Sequence, residues 1–145
     1  MEQVWDHLLA NGKEIYGIAV DDAHHFQGEF APRRSNPGRG WVAVRAKNLE
    51  GREIVENLEK GWFYASTGVE LDDVVATPEQ IEIRIAKDGN FKFRTEFIGS
   101  GGKILSSAET NPAIYRLVGC ETHVRAKVYN SGGAVAWIQP VFVKR

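Results

Sequence analysis

The chain has 145 residues, enough for one domain with a hydrophobic core or for two small lobes sharing one. Hydrophobic residues make up 43% and charged residues 26%, the balance of a soluble globular protein, and 18 Lys plus Arg against 19 Asp plus Glu leave a net charge of −1. With no field of one sign to draw a polyanion or an acidic lipid surface, neither nucleic acid nor a membrane is an expected partner.

Taken in chain order, Val4, Trp5, Leu8 and Leu9 recur at helical spacing, and Asn11-Gly12 closes the segment as a C-cap does, predicting a short N-terminal helix. Residues 15–20 form a nearly unbroken apolar run, the pattern of a strand covered on both faces. It ends abruptly at Asp21-Asp22-Ala23-His24-His25. Residues 27–40 hold Gly28, Pro32, Pro37, Gly38 and Gly40 together with Arg33, Arg34 and Arg39, which predicts a long loop. A second buried strand is expected over residues 41–46. Ile54, Val55 and Leu58 predict a helix over residues 53–60, stopped by Gly61, and Trp62 to Ala65 reads as a short aromatic strand.

From about Val69 the texture changes. Ile81, Ile83 and Ile85 alternate with polar residues, Asp88-Gly89-Asn90 signals a hairpin turn, and Phe91 to Arg94 resume the alternation. Gly99-Ser100-Gly101-Gly102 is another turn, and strands are expected over residues 103–106, 115–118, 123–129, 134–138 and 141–143. The fold class is therefore α+β: a small mixed helix/strand N-terminal lobe over residues 1–68, then an antiparallel β-sandwich-like C-terminal lobe over residues 69–145.

One cysteine, Cys120, excludes an internal disulfide and a zinc ribbon, and with no obvious basic partner to activate it the thiol is not expected to be a nucleophile. The opening Met-Glu-Gln-Val-Trp-Asp lacks the basic and apolar regions of a signal peptide, and no run approaches the roughly 18 apolar residues of a membrane span, so the cytoplasm is the expected location.

The run at Asp21 to His25 is where chemistry is expected. Asp22 and His24 lie two apart, so in extended chain they point to one side, and a carboxylate with an imidazole suits zinc, manganese or iron. A polar turn after a buried strand, with Asp capping backbone amides and His merely exposed, explains the same residues. His25 is a third candidate ligand, although its neighbour position turns it to the opposite side. Arg33, Arg34 and Arg39 are candidates to clamp an anionic substrate, against a simply solvated loop. His7 and His123 read as structural or solvated.

The segment Trp5-Asp6-x-Leu8-Leu9-x-x-Gly12-x-x-Ile15-Tyr16-Gly17-Ile18-Ala19-x-Asp21-Asp22-Ala23-His24 resembles the end of the catalytic barrel in PHP (polymerase and histidinol phosphatase) metal-dependent hydrolases. Trp41-Val42-x-Val44-x-Ala46, Glu53-Ile54 and Gly61-x-Phe63-Tyr64-Ala65-Ser66-Thr67-Gly68 are similar to the part that closes that barrel. The stretches Glu96 to Gly99, Val124 to Ala126 and Ala136 to Phe142 resemble a β-rich C-terminal extension.

The resemblance implies that Asp22 and His24 are the family's last Asp-x-His ligand pair, in a cluster that activates water for phosphoester hydrolysis. The other ligands belong to the N-terminal part of the barrel, which this sequence lacks: only His7, His24, His25 and His123 occur, and no His-x-His. The expectation is a stand-alone C-terminal-like module, not catalytic as an isolated monomer, that forms a homodimer or higher oligomer to cover its apolar strands. A second reading is a phosphoesterase whose site is completed across an oligomer interface or by a separate barrel chain. A third is a β-sandwich ligand- or carbohydrate-binding module using Trp41 or Trp137.

Overall fold

The computed structural model describes residues 1–31, 33–86 and 89–143. Its elements, in order, are helix α1 (Glu2–Ala10), strand β1 (Trp41–Val44), helix α2 (Gly51–Glu59), and strands β2 (Phe63–Ser66), β3 (Leu71–Ala76), β4 (Gln80–Ile85), β5 (Phe93–Ile98), β6 (Ile104–Ala108), β7 (Ala113–Arg116), β8 (His123–Asn130) and β9 (Val135–Phe142). They form a six-stranded sheet in the order β1-β2-β9-β8-β5-β6 and a three-stranded sheet in the order β3-β4-β7, with every pairing antiparallel. The α+β class with a β-rich C-terminal part is as expected. The larger sheet runs across the 68/69 boundary, because β2 pairs with β9 through Tyr64–Ile138, Ala65–Trp137 and Ser66–Ala136.

Alternation explains the core. Ile81, Ile83 and Ile85 of β4 bury one face of the small sheet against Phe97, Val124, Ala126, Val128, Ala136 and Ile138 of the large one. Phe97 stacks on Tyr115 with ring centroids 5.4 Å apart. The opposite face of the large sheet carries Arg94, Glu96, Arg125, Lys127, Tyr129 and Gln139, and α1 packs across it through ion pairs from Glu2 and Asp6 to β8.

Several boundaries differ from expectation, each for a local reason. The apolar run 15–20 forms no strand: Ile15, Ile18 and Val20 are exposed and the segment lacks secondary structure. Hydrophobicity alone cannot supply a neighbouring strand, and here the contact at Gly17 is a side chain, Gln139. Strand β1 is shorter than expected and half-buried along its length, as befits the outermost strand of the sheet.

Strand β3 carried no expectation. Its sequence, Leu-Asp-Asp-Val-Val-Ala, has adjacent acidic residues that break the alternation, and its register with β4 shifts there, between Leu71 and Asp73. Strand β7 begins two residues earlier than expected. Strand β9 is continuous through Pro140, where a break was expected. Val124 pairs with Val141 and Ala126 with Ile138, so Gln139 and Pro140 together oppose Arg125, and the proline sits in a bulge that asks no ladder hydrogen bond of it. The expected hairpin turn at Asp88-Gly89-Asn90 falls partly outside the described residues; Gly89 and Asn90 are in a turn.

Candidate functional site

The chain leaves α1 through Gly12 and crosses the outer face of the large sheet as an irregular segment. Trp5 Nε1 donates to the Ile15 carbonyl at 3.0 Å, and the Tyr16 hydroxyl donates to the Lys60 carbonyl at 3.3 Å. The Tyr16 ring meets Phe63 edge-on at 6.1 Å. The segment then passes so close to Gly40 that a Cβ there would lie 3.1 Å from the Val20 carbonyl oxygen. Ile18 and Val20 point outward, 67% and 71% exposed, immediately before the acidic and histidine residues.

Asp21 builds the loop that follows. One carboxylate oxygen accepts from the Ala23 amide at 3.2 Å and the other from the Gly38 amide at 2.6 Å, drawing the two ends of the loop together. The amides of His24 and His25 donate to the Ser35 carbonyl at 2.8 and 3.0 Å. Arg39 donates to the Asn36 carbonyl at 3.2 Å and to the Asp21 carbonyl, so this arginine holds the loop closed. Arg33 and Arg34 are exposed. Phe26 and Phe30 are exposed as well.

Asp22 adopts a left-handed backbone, φ 49°, which aspartate tolerates better than most residues. Its carbonyl oxygen lies 2.6 Å from Nδ1 of His24. A carbonyl can only accept, so Nδ1 carries a proton and, in the neutral ring, Nε2 keeps its lone pair. Donation from the second ring nitrogen to a backbone carbonyl is the usual way a ligating histidine is oriented. His25 is exposed beside it.

A metal needs more than this. Among the described residues no three His, Cys, Asp or Glu side chains come together to hold an ion, and Asp22 with His24 offers two donors. The residues present do not by themselves complete a hydrolytic metal centre.

Most of the remaining candidates have structural duties. His7 is exposed at the end of α1, beside Asn11. Ser66 Oγ donates to the Val69 carbonyl at 2.7 Å, and Thr67 Oγ1 accepts from the Val135 amide at 3.0 Å. Trp41 and Trp137 are half-buried within the sheet, while Trp62, 53% exposed, lies under the Lys60 ammonium. Two shallow cavities, of about 180 and 370 Å³, lie away from the Asp22 loop. The smaller is lined by Lys103, Cys120, Glu121 and His123 among others.

A buried ion pair beneath α1 had no sequence signal. Arg125, 2% exposed, donates from Nε to Asp6 Oδ1 at 2.7 Å and from Nη2 to Oδ2 at 2.9 Å, a bidentate pair roofed by the Trp5 ring at 4.9 Å. Lys127 donates to Glu2 at 2.6 Å. Burial works to raise the Glu2 carboxyl, but the hydrogen bond from Lys127 and the cations nearby hold it below the usual range. Lys127 is moved up by the same contact, against the effect of its own burial. An Asp at an apolar-looking helix position and an Arg inside a strand, 119 residues apart, are recognisable as a pair only once the helix lies on the sheet.

His123, 1% exposed, has its imidazole pushed down by burial, with Asp6 opposing the shift and Arg125 adding to it. A depressed folded-state value means the unfolded chain takes up the proton first. Stability is therefore expected to be intact above the ordinary histidine value and to fall as pH drops below about 6.5, until the folded-state value is reached. Urea unfolding at pH 7.5 and pH 5.5 measures this loss, and His123→Gln is expected to reduce it; an unchanged difference between the two pH values in that variant would rule out His123 as its source.

Comparison with family models, with curated proteins and with solved structures finds no match for this chain. No described helix is long and apolar enough to cross a membrane.

Proposed function

We propose that this chain is a PHP-hydrolase C-terminal-like module that is not catalytic alone and that docks through the apolar surface of Ile18, Val20, Phe26 and Phe30. In this reading Asp22 and His24, with His25 beside them, are a partial divalent-metal site of the zinc, manganese or iron type, completed by what docks there. The observation that supports it is the exposure of Ile18 and Val20 just before a His24 whose Nδ1 is tied to a carbonyl, leaving Nε2 to ligate. Exposed apolar side chains are a liability where they come together with nothing to cover them. The simplest cover is a second copy, whose twofold axis would bring two Asp22–His24 pairs to one interface.

Light scattering at micromolar concentration is expected to give at least twice the 16.2 kDa monomer mass. Val20→Glu is expected to return the monomer, and metal analysis is expected to find zinc, manganese or iron only in the oligomer. A strict monomer that retains no metal would count against self-assembly. The second reading would then be tested by phosphodiesterase assays with a separately supplied barrel chain.

A further inference from the structure

Residues 15–20 have the composition of a sheet strand but none of the ladder hydrogen bonds of one. Nevertheless they are anchored, and the central anchor is a side chain. Gln139, buried in β9, accepts from the Gly17 amide through Oε1 at 2.8 Å and donates from Nε2 to the Gly17 carbonyl at 2.7 Å. This is the same donor-and-acceptor exchange that a paired residue makes in an antiparallel ladder. The Trp5 ring lies against Gly17: a Cβ there would lie 3.0 Å from Trp5 Cη2, so a side chain at this position would have to push the ring aside. The fold uses the device a second time, where the Asn111 amide accepts from the Ile85 amide at 3.0 Å and donates to the Ile85 carbonyl at 2.7 Å.

We infer that Gln139 is a positioning residue: its amide stands in for a strand neighbour, fixing Gly17 so that residues 18–24, with Asp22 and His24, leave the sheet in one direction. The purpose of that positioning rests on the docking reading above; the clamp itself does not. A pre-set segment would present Ile18, Val20 and the Asp22–His24 pair without the entropy cost of ordering them on contact.

The test uses the full chain. The measurements are hydrogen-exchange protection of the Gly17 amide and the 15N heteronuclear NOE of Ile18, Ala19 and Val20. Gln139→Leu keeps the bulk and removes both hydrogen bonds. It is expected to lower Gly17 protection at least about tenfold and to reduce the NOE of the three following residues. The amides of Val124, Ala126 and Val128 in β8 should keep their protection.

Gln139→Glu adds a readout that a packing role would not move. Its carboxylate can accept from Gly17 but not donate to it, whereas the protonated carboxyl again offers one donor and one acceptor. With its donor gone the carboxylate faces the Gly17 carbonyl acceptor to acceptor, and that repulsion is expected to push the segment off the clamp. Protection at Gly17, corrected for intrinsic exchange, is therefore expected to be reduced at neutral pH and to recover as that carboxyl protonates. Unchanged Gly17 protection in Gln139→Leu, or no recovery in Gln139→Glu at acid pH, overturns the assignment. If Gly17 loses protection as expected while the wild-type chain proves a metal-free monomer, the clamp stands and the docking reading fails.

Discussion

Asp6→Ala is expected to destabilise the protein by about 3–5 kcal/mol, the effect of leaving a buried charge without its partner. Arg125 is 2% exposed, and Asp6 supplies both of its close carboxylate contacts. The alternative carboxylate, Glu2, is 3.6 Å from Arg125 and already holds Lys127. Removing Asp6 thus strands a guanidinium beneath α1 and removes one of that helix's ties to the sheet, leaving the Glu2–Lys127 pair. Urea denaturation followed by tryptophan fluorescence measures the loss, since Trp5 sits on the same guanidinium. The pair itself need not be stabilising relative to an apolar substitute. The double replacement Asp6→Leu with Arg125→Met is expected to recover most of the stability, because it removes both desolvated charges at once. A single Asp6→Ala variant within about 0.5 kcal/mol of wild type would show that α1 detaches at little cost and that water reaches Arg125.

Phe97→Ala is expected to cost a similar amount, about 3–5 kcal/mol, for a different reason. Phe97 is fully buried where the two sheets meet, stacked on Tyr115 and surrounded by residues of β4, β5, β8 and β9. Strands on both sides are fixed by their ladders, so the cavity cannot readily collapse. The Tyr115 phenol is already pushed up to about 12, by its burial first and by the Glu121 carboxylate it hydrogen-bonds second. Losing its stacking partner would disturb that contact as well. Thermal and chemical denaturation should agree on the loss; a cost below about 1 kcal/mol would mean the sheets move together to fill the space.

The β-rich half was largely legible because its strands alternate. Ile81, Ile83 and Ile85 announce β4 and its buried face without help, and glycine-rich turns mark several strand ends. Strand β9 was harder, since Pro140 looks like a break until Arg125 is seen opposite a two-residue bulge. At the candidate site the residues were legible but their arrangement was not. Asp22 and His24 were picked out by spacing, yet the hydrogen bond joining them runs from an imidazole to a backbone carbonyl, which no side-chain pattern encodes. Asp21, left out of the ligand set, organises the loop through two amides that lie far apart in sequence.

Periodicity, turn residues and composition by themselves determined the α+β class, the expectation of a sandwich and the place where a polar loop follows an apolar run. These are local properties, and alternation or a glycine expresses them wherever the chain goes. Only the tertiary structure decided that residues 15–20 would meet Gln139 instead of a strand, that Asp6 would be buried, and that Ile18 and Val20 would face outward. An apolar run states that burial is favourable; what covers it depends on which distant residues arrive beside it, and here a single amide 122 residues away takes that place at Gly17.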